Sequence, residues 1–351
     1  MKGMKMIVSV KKRTIEQAVI VLTLAILAFS ALVGITFTSY DVFGGNITNI
    51  TVRATVNVSN TEPVIIAIRL DDNVSSPAHQ IDLTPNGFTA VVCNATIFDY
   101  NGWADIAPNK TNATLYIKNV EEAGATDKNF RYRNSSCGSC RQAAASEAHL
   151  GDTATTAICD CKFNVQYYAN NSNEWVCNMS VTDTGGTQVQ HLELNISRTA
   201  VSNDTLVNKL LAIDTGTLLD YGNLSVTETS SEIIHNVSNV GNINLNITLR
   251  GYGGSNESIG INHSMMCDFG NISVGQQKYA LGSENIGKTV FVNMTILRNQ
   301  TDVTNFTLYH KVNDNSVGDE RNSTIWRLQV PLSVGGICNG TIIFGAVERI
   351  D

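Results

Sequence analysis

The chain has 351 residues, a formal net charge of −7 and only 16% charged residues, well below the roughly 25% of typical soluble domains. The negative balance argues against a nucleic-acid partner, which needs clustered Lys and Arg to displace phosphate counterions. A surface this poor in charge needs another source of hydration, and the length leaves room for two domains of ordinary size behind a leader.

Lys2, Lys5, Lys11, Lys12 and Arg13 make a basic region over residues 1–13. An uncharged stretch from Ala18 to Phe37 follows, inside a segment 14–38. At about 20 residues it is long enough to cross the hydrocarbon core as a helix. It also exceeds the apolar core of a cleaved signal peptide. The expected state is a single-pass anchor with the basic flank in the cytoplasm and the following domains outside. Ser30, Ala31 and Gly34 near its far end keep cleavage open, without a convincing A-x-A site. Lys12-Arg13-Thr14-Ile15-Glu16 ahead of Gln17-Ala18-Val19 also resembles an archaeal pilin leader, although no Gly or Ala follows the basic pair. That resemblance implies a filament subunit with the apolar helix in the filament core.

From residue 46 onward the chain carries about two dozen Asn-x-Ser/Thr acceptors for N-glycans, roughly three times what composition alone would give. Candidates include Asn46, Asn57, Asn94, Asn178, Asn195, Asn223, Asn246, Asn293, Asn305 and Asn339. Their middle residue is often apolar, as with Val58, Ala95, Met179, Val237, Ile247, Ile272 and Met294. In a strand the Asn and the Ser/Thr share one face and the middle residue takes the other. Each such triplet therefore predicts a half-buried strand with its Asn outward.

Period-two runs agree: 47–58, Val64–Leu70, Phe88–Phe98, Ala113–Ile117, Phe163–Tyr168 and Trp175–Val181, separated by turn clusters such as Thr84-Pro85-Asn86-Gly87. Thr205 to Ile213 reads as an entry into a second series. That series is Leu224–Val226, Ile233–Val237, Ile243–Leu249, Thr289–Leu297, Thr304–Val312, Ile325–Val330 and Thr341–Val347, with Asn239-Val240-Gly241-Asn242 as a turn. The expected fold class is mainly β: a transmembrane or signal helix, then two immunoglobulin-like β-sandwich domains over 46–201 and 202–351. Cys137 to Gly151 lacks a strand pattern and reads as a loop insertion with a short helix over Gln142–His149. With Asn134 only at its edge, the insertion to Cys161 is the expected contact surface.

All eight cysteines lie on the expected outer side, where disulfides are the default. Cys93 and Cys177, both in alternating runs, are the favoured first pair. Cys267 with Cys338 is the only bridge that stays within the second half. Cys137, Cys140, Cys159 and Cys161 remain, read as two disulfides stapling a loop. Tetrahedral zinc is the alternative, disfavoured by the single-residue spacing of Cys159-x-Cys161.

Three motifs invite chemistry. Gly282-Ser-Glu-Asn-Ile-Gly287-Lys288-Thr289 matches a P-loop in letters, yet a P-loop needs a helix after it, and the following residues read as a strand. No nucleotide partner is expected. Asp214-Thr215-Gly216 and Asp183-Thr184-Gly185 resemble aspartic-protease half-sites, but they lie too close in sequence for two homologous lobes. Asp99, Asn101 and Asp105 around Gly102 could offer oxygen ligands to calcium, with Asp183 joining if the loops cluster. Asx-turn capping is the plainer reading. No catalytic residue and no other cofactor is expected.

Several phrases resemble a family of uncharacterised exported surface proteins from archaea and small-genome bacteria. They include Cys93 to Ile106, Trp175 to Asp183, Leu210 to Asp214, Asp220-Tyr221-Gly222, Asn239 to Asn242, Gln277-Lys278-Tyr279, Ile325 to Pro331 and Gly336 to Thr341. The resemblance implies tandem β-sandwiches and no catalytic residue. Cys338 stands where an aromatic is common, which supports a chain-specific bridge to Cys267. Together these readings make the protein an N-glycosylated surface component with a structural or adhesive role. It would be held to the membrane by its N-terminal helix and would meet other surface proteins or cells.

Overall fold

A computed structural model describes residues 52–72, 80–118, 127–186, 188–191, 205–297, 306–313 and 320–350. The leader segments 1–13 and 14–38, and the acceptors Asn46, Asn195 and Asn305, lie outside the described residues. Among the described residues no helix is long and apolar enough to cross a membrane. One unit ends at Ser59, and a second, compact unit runs from Asn60 to Asp351.

The compact unit opens with ten strands: β1 (Val64–Asp71), β2 (Gln80–Ile81), β3 (Phe88–Phe98), β4 (Asn112–Ile117), β5 (Arg131–Asn134), β6 (Arg141–Gln142), β7 (Thr156–Gln166), β8 (Trp175–Thr182), β9 (Gln188–His191) and β10 (Leu206–Val207). Two antiparallel sheets, β1-β3-β7-β6 and β5-β4-β8-β9, face each other, with β2 and β10 as a parallel pair. The alternation of β3 explains the layering. Val91, Cys93, Ala95 and Ile97 are buried between the sheets, while Val92, Asn94 and Thr96 take the other face. Leu115, Met179 and Val181 fill the core from the opposite sheet.

Ten further strands form a second sandwich: β11 (Ile213–Thr215), β12 (Ile233–Asn239), β13 (Leu245–Gly253), β14 (His263–Phe269), β15 (Asn271–Ser273), β16 (Gln277–Leu281), β17 (Thr295–Ile296), β18 (Thr307–Leu308), β19 (Arg321–Leu328) and β20 (Gly335–Glu348). Its sheets run β11-β12-β19-β16-β17 and β15-β14-β20-β13-β18. Trp326, Tyr279, Leu249 and Leu297 pack between them, with Phe344 at their edge.

Several expectations are corrected. Gln142–His149 is not a helix. Gln142 ends a strand paired to β7, and only a 3-10 turn forms over His149–Gly151, because Cys137 and Cys140 tie this stretch to β7. Thr205 to Ile213 is divided: Val207 joins the first core, and Ile213 starts β11. Leu224–Val226 makes turns, and Thr289–Leu297 yields only β17 after a 3-10 turn at Phe291–Asn293. Val52–Val58, expected as a strand, forms none among the described residues.

The Asn239–Asn242 turn is the joint between the sandwiches. Asn242, 2% exposed, donates from Nδ2 to the carbonyls of Ala169 and Asn208, both at 3.0 Å. Its Oδ1 accepts the Leu210 N–H at 2.7 Å. Asn86 in the β2–β3 turn donates its N–H to the Val240 carbonyl at 3.3 Å. Gly241 is required here: a Cβ would come 2.0 Å from the Leu210 oxygen.

Candidate functional site

Four disulfides use all eight cysteines. Cys93–Cys177 crosses the first core from β3 to β8 and ties the two sheets together. Cys137–Cys161 and Cys140–Cys159 pin the insertion to β7. Cys267–Cys338 joins residues directly opposite each other on β14 and β20. The two local pairs thus hold a loop, with no thiolate left over for zinc.

The far pole of the first sandwich gathers the proposed calcium residues, but turns them to other tasks. Asp99 is fully buried, and its Oδ1 accepts the Asn101 N–H at 2.7 Å, an Asx turn. The Asn101 Oδ1 accepts the Thr61 N–H at 2.7 Å. Asp105 accepts the Thr184 hydroxyl, and Asp183 Oδ2 accepts the Asn60 amide at 2.8 Å. No three acidic, His or Cys side chains among the described residues group to hold a metal. Asp99 Oδ2 and Asp105 Oδ2 are buried without a hydrogen-bond partner among the described residues.

Burial pushes the Asp99 carboxyl above its ordinary range. The Asn101 N–H opposes the shift, and the charges of Asp105 and Asp183 add to it. A raised carboxyl binds more protons folded than unfolded, so its contribution to stability falls as pH rises through that window. Asp99→Asn keeps the acceptor for Asn101 and removes the charge. It is expected to raise the melting temperature at pH 7 by about 2–4 °C, the response to roughly 1 kcal/mol in a domain of this size, and to change little at pH 3. Scanning calorimetry at both pH values, with calcium and with chelator, checks this. A calcium-dependent rise in the parent that vanishes in the variant would instead make this pole a cation site.

The P-loop letters lie in a strand–loop segment with no helix after it. The Gly287 and Thr289 N–H groups do converge on an anion, but it is the chain's own Glu232 carboxylate, at 2.6 and 2.9 Å. The Thr289 hydroxyl, then these amides and nearby Arg327, hold the Glu232 carboxyl below its usual range. The two Asp-Thr-Gly motifs sit on different sandwiches. Asp183 is buried at the pole, whereas Asp214 is exposed on β11. The structure does not assemble them into a dyad within one chain.

The cleft that does form was not signalled by any motif. About 480 Å³ opens between the sheets of the second sandwich, against Leu218, Tyr221, His235, Gln277, Ile342 and Phe344. The His235 ring stacks on Phe344 with centroids 5.1 Å apart, and its Nε2 lies 2.7 Å from the Thr215 hydroxyl. Burial lowers the His235 pKa and raises that of Tyr221. Gln277 donates to the Tyr221 oxygen at 2.9 Å, and its own Oε1 has no partner among the described residues. No Asp, Glu, Lys or Cys lines the cleft, so it offers an apolar groove with a few polar points and no acid–base pair. The phrases around Tyr221 and Gln277 were legible only as part of the family resemblance.

The glycan acceptors keep the register expected of them. Ala95, Met179, Val237, Ile247, Ile272 and Met294 are buried. Asn57, Asn223, Asn293 and Asn339 are exposed, and Asn94, Asn178 and Asn246 are half-buried on outer faces. On β4 and β8, Asn112 stands opposite Ser180 and Thr114 opposite Asn178, so two acceptor triplets lie side by side. Trp175 and Trp326 are core residues, and Trp103 packs half-buried against the first core.

No family model matches the sequence, and no curated protein matches it. Among solved structures, the chaperone–tip adhesion subunit pre-assembly complex CsuC–CsuE from archaic chaperone-usher Csu pili of Acinetobacter baumannii aligns at 10% identity. It covers 77% of this chain and 97% of that one with a TM-score of 0.30. A chaperone–tip adhesin complex of CFA/I fimbriae biogenesis aligns at 8% identity, over 83% and 92% of the two chains, with a TM-score of 0.27. Scores this low do not establish a shared topology.

Proposed function

We propose that the protein is an exported, N-glycosylated surface component with a structural or adhesive role and no catalytic one. The observation that carries this reading is the pairing of all eight cysteines into four disulfides, bonds that persist in oxidising compartments outside the cytosol. The outward register of the acceptor asparagines supports it, since glycans would hydrate a charge-poor surface. The basic leader and apolar stretch supply the membrane attachment in this reading. The insertion between Cys137 and Cys161 is the contact surface for other surface proteins or cells. Two disulfides, and the paired 2.7 Å bonds from Arg141 to Glu147, hold it rigid, and Leu150 at its tip is 89% exposed.

Labelling of intact cells with a membrane-impermeant amine reagent, followed by mass spectrometry of the native N-terminus, tests this. Surface labelling with an intact basic leader is the expected result. Labelling with a chain that begins just after Arg13 would favour the second reading, a filament subunit, for which the unpaired Val52–Val58 speaks. Labelling only after lysis would contradict both.

A further inference from the structure

Along its second half, β20 is paired on one side only. Gly340 to Glu348 pair with β13, whereas β14 reaches β20 only between Gly335 and Asn339. The Arg349 N–H donates to Asn244 and the Gly254 N–H to the Asn339 carbonyl. These bonds fix the phase of the ladder: odd-numbered residues bond β13, and the backbone groups of Ile342, Phe344 and Ala346 face the other way. No described residue pairs with them there. The side chains of Ile342 and Phe344 pack towards the core, yet no residue from Thr341 to Ala346 is fully buried. The cleft described above lies along this edge, with Leu218 and Leu219 across it. An unpaired edge beside an apolar groove is a template for one more strand.

Val52–Val58 has the matching form. Val52, Ala54, Val56 and Val58 alternate with Arg53, Thr55 and Asn57, so the four apolar residues share one face in an extended chain. Val52, Val56 and Val58 are 73%, 85% and 73% exposed. Covalent reach keeps this segment from the groove of its own molecule. Asn60 and Thr61 are fixed to Asp183 and Asn101, at the pole where β3 ends. The joint to the second sandwich is at the other end of β3, beside Asn86. The eleven residues of β3 separate the two by about 35 Å, while Val58 is only two residues from Asn60.

We propose that Val52–Val58 of one copy adds as a strand to the free edge of β20 in the next copy, its valines entering the groove. Asn57 then faces away from the groove, so its acceptor triplet is compatible with the docked strand. The contact uses different surfaces on the two copies and does not close on itself, so it propagates head to tail into an open filament. This assembly does not depend on glycosylation or export.

The test uses the full-length chain in detergent and its Val56→Asp variant. Val56 is exposed, so the substitution leaves the fold intact. Mass photometry of the native chain is expected to show a concentration-dependent ladder of copies that collapses to single copies in the variant. A labelled peptide spanning residues 50–60, titrated onto the Val56→Asp chain, is expected to bind one per chain. The same peptide carrying Val56→Asp is expected to bind about tenfold or more weakly, because its carboxylate would be desolvated in an apolar groove. Identical mass distributions for the two chains, or equal binding of the two peptides, would overturn the proposal.

Discussion

Replacing Cys93 and Cys177 together by Ala is expected to destabilise the first sandwich by about 2–5 kcal/mol. The bond spans 84 residues and crosses the core between the two sheets, so its loss releases a long loop in the unfolded chain and removes the tie between the layers. The local pairs close only 24 and 19 residues, where less loop entropy is at stake. Cys267–Cys338 spans 71 residues but joins neighbouring strands already paired in register, and its half-exposed sulfurs contribute less to packing. Urea unfolding of the parent and of each double Cys→Ala variant under oxidising conditions ranks the four bonds. A midpoint for the Cys93/Cys177 variant close to the parent's would contradict this role. Cys93 sits opposite Cys161 in the β3–β7 register, so adjacent bonds couple and their removals will not add.

Asn242→Ala is expected to cost about 3 kcal/mol and to uncouple the two sandwiches. Three hydrogen bonds at the joint are lost at once, and buried partners left unsatisfied each cost roughly 1–3 kcal/mol, partly relieved by water entry. Calorimetry should show the unfolding transition broaden or split as the second sandwich melts apart from the first. Asn242→Asp separates hydrogen bonding from shape. It keeps the acceptor for Leu210 but turns a carboxylate towards the Ala169 and Asn208 carbonyls, so it is expected to be at least as damaging near neutral pH. A parent-like melt for both variants would show that the joint lies elsewhere.

Strands with one wet and one dry face were readable because period two and the Asn-apolar-Thr triplets report the same thing. Phe88–Phe98 and Trp175–Val181 show it best. β14 and β16 were not readable. His263-Ser264-Met265-Met266 and Gln277-Lys278-Tyr279 mix faces, since Ser264 and Gln277 are buried polar residues satisfied only by the tertiary fold. Val52–Val58 failed in the opposite sense. Its pattern is a strand's, but a strand exists only with a partner, and no local rule supplies one. The Cys93–Cys177 pair was legible from two alternating runs. The partners within the insertion depended on the β7 register, which places Cys159 and Cys161 on one face. At the far pole, Asp99 and Asn101 were legible as a turn, whereas the recruitment of Asp183 and Asn60 required the folded loops. The groove beside β20 is a property of what is missing from a sheet edge, and no residue type announces it.

The most direct test of the surface reading is the intact mass of the native protein under non-reducing conditions, before and after enzymatic removal of N-glycans. The expected result is no free thiol, four disulfides, and a glycan mass lost on treatment that maps to outward asparagines such as Asn178 and Asn339. Free thiols together with an unmodified mass would contradict it.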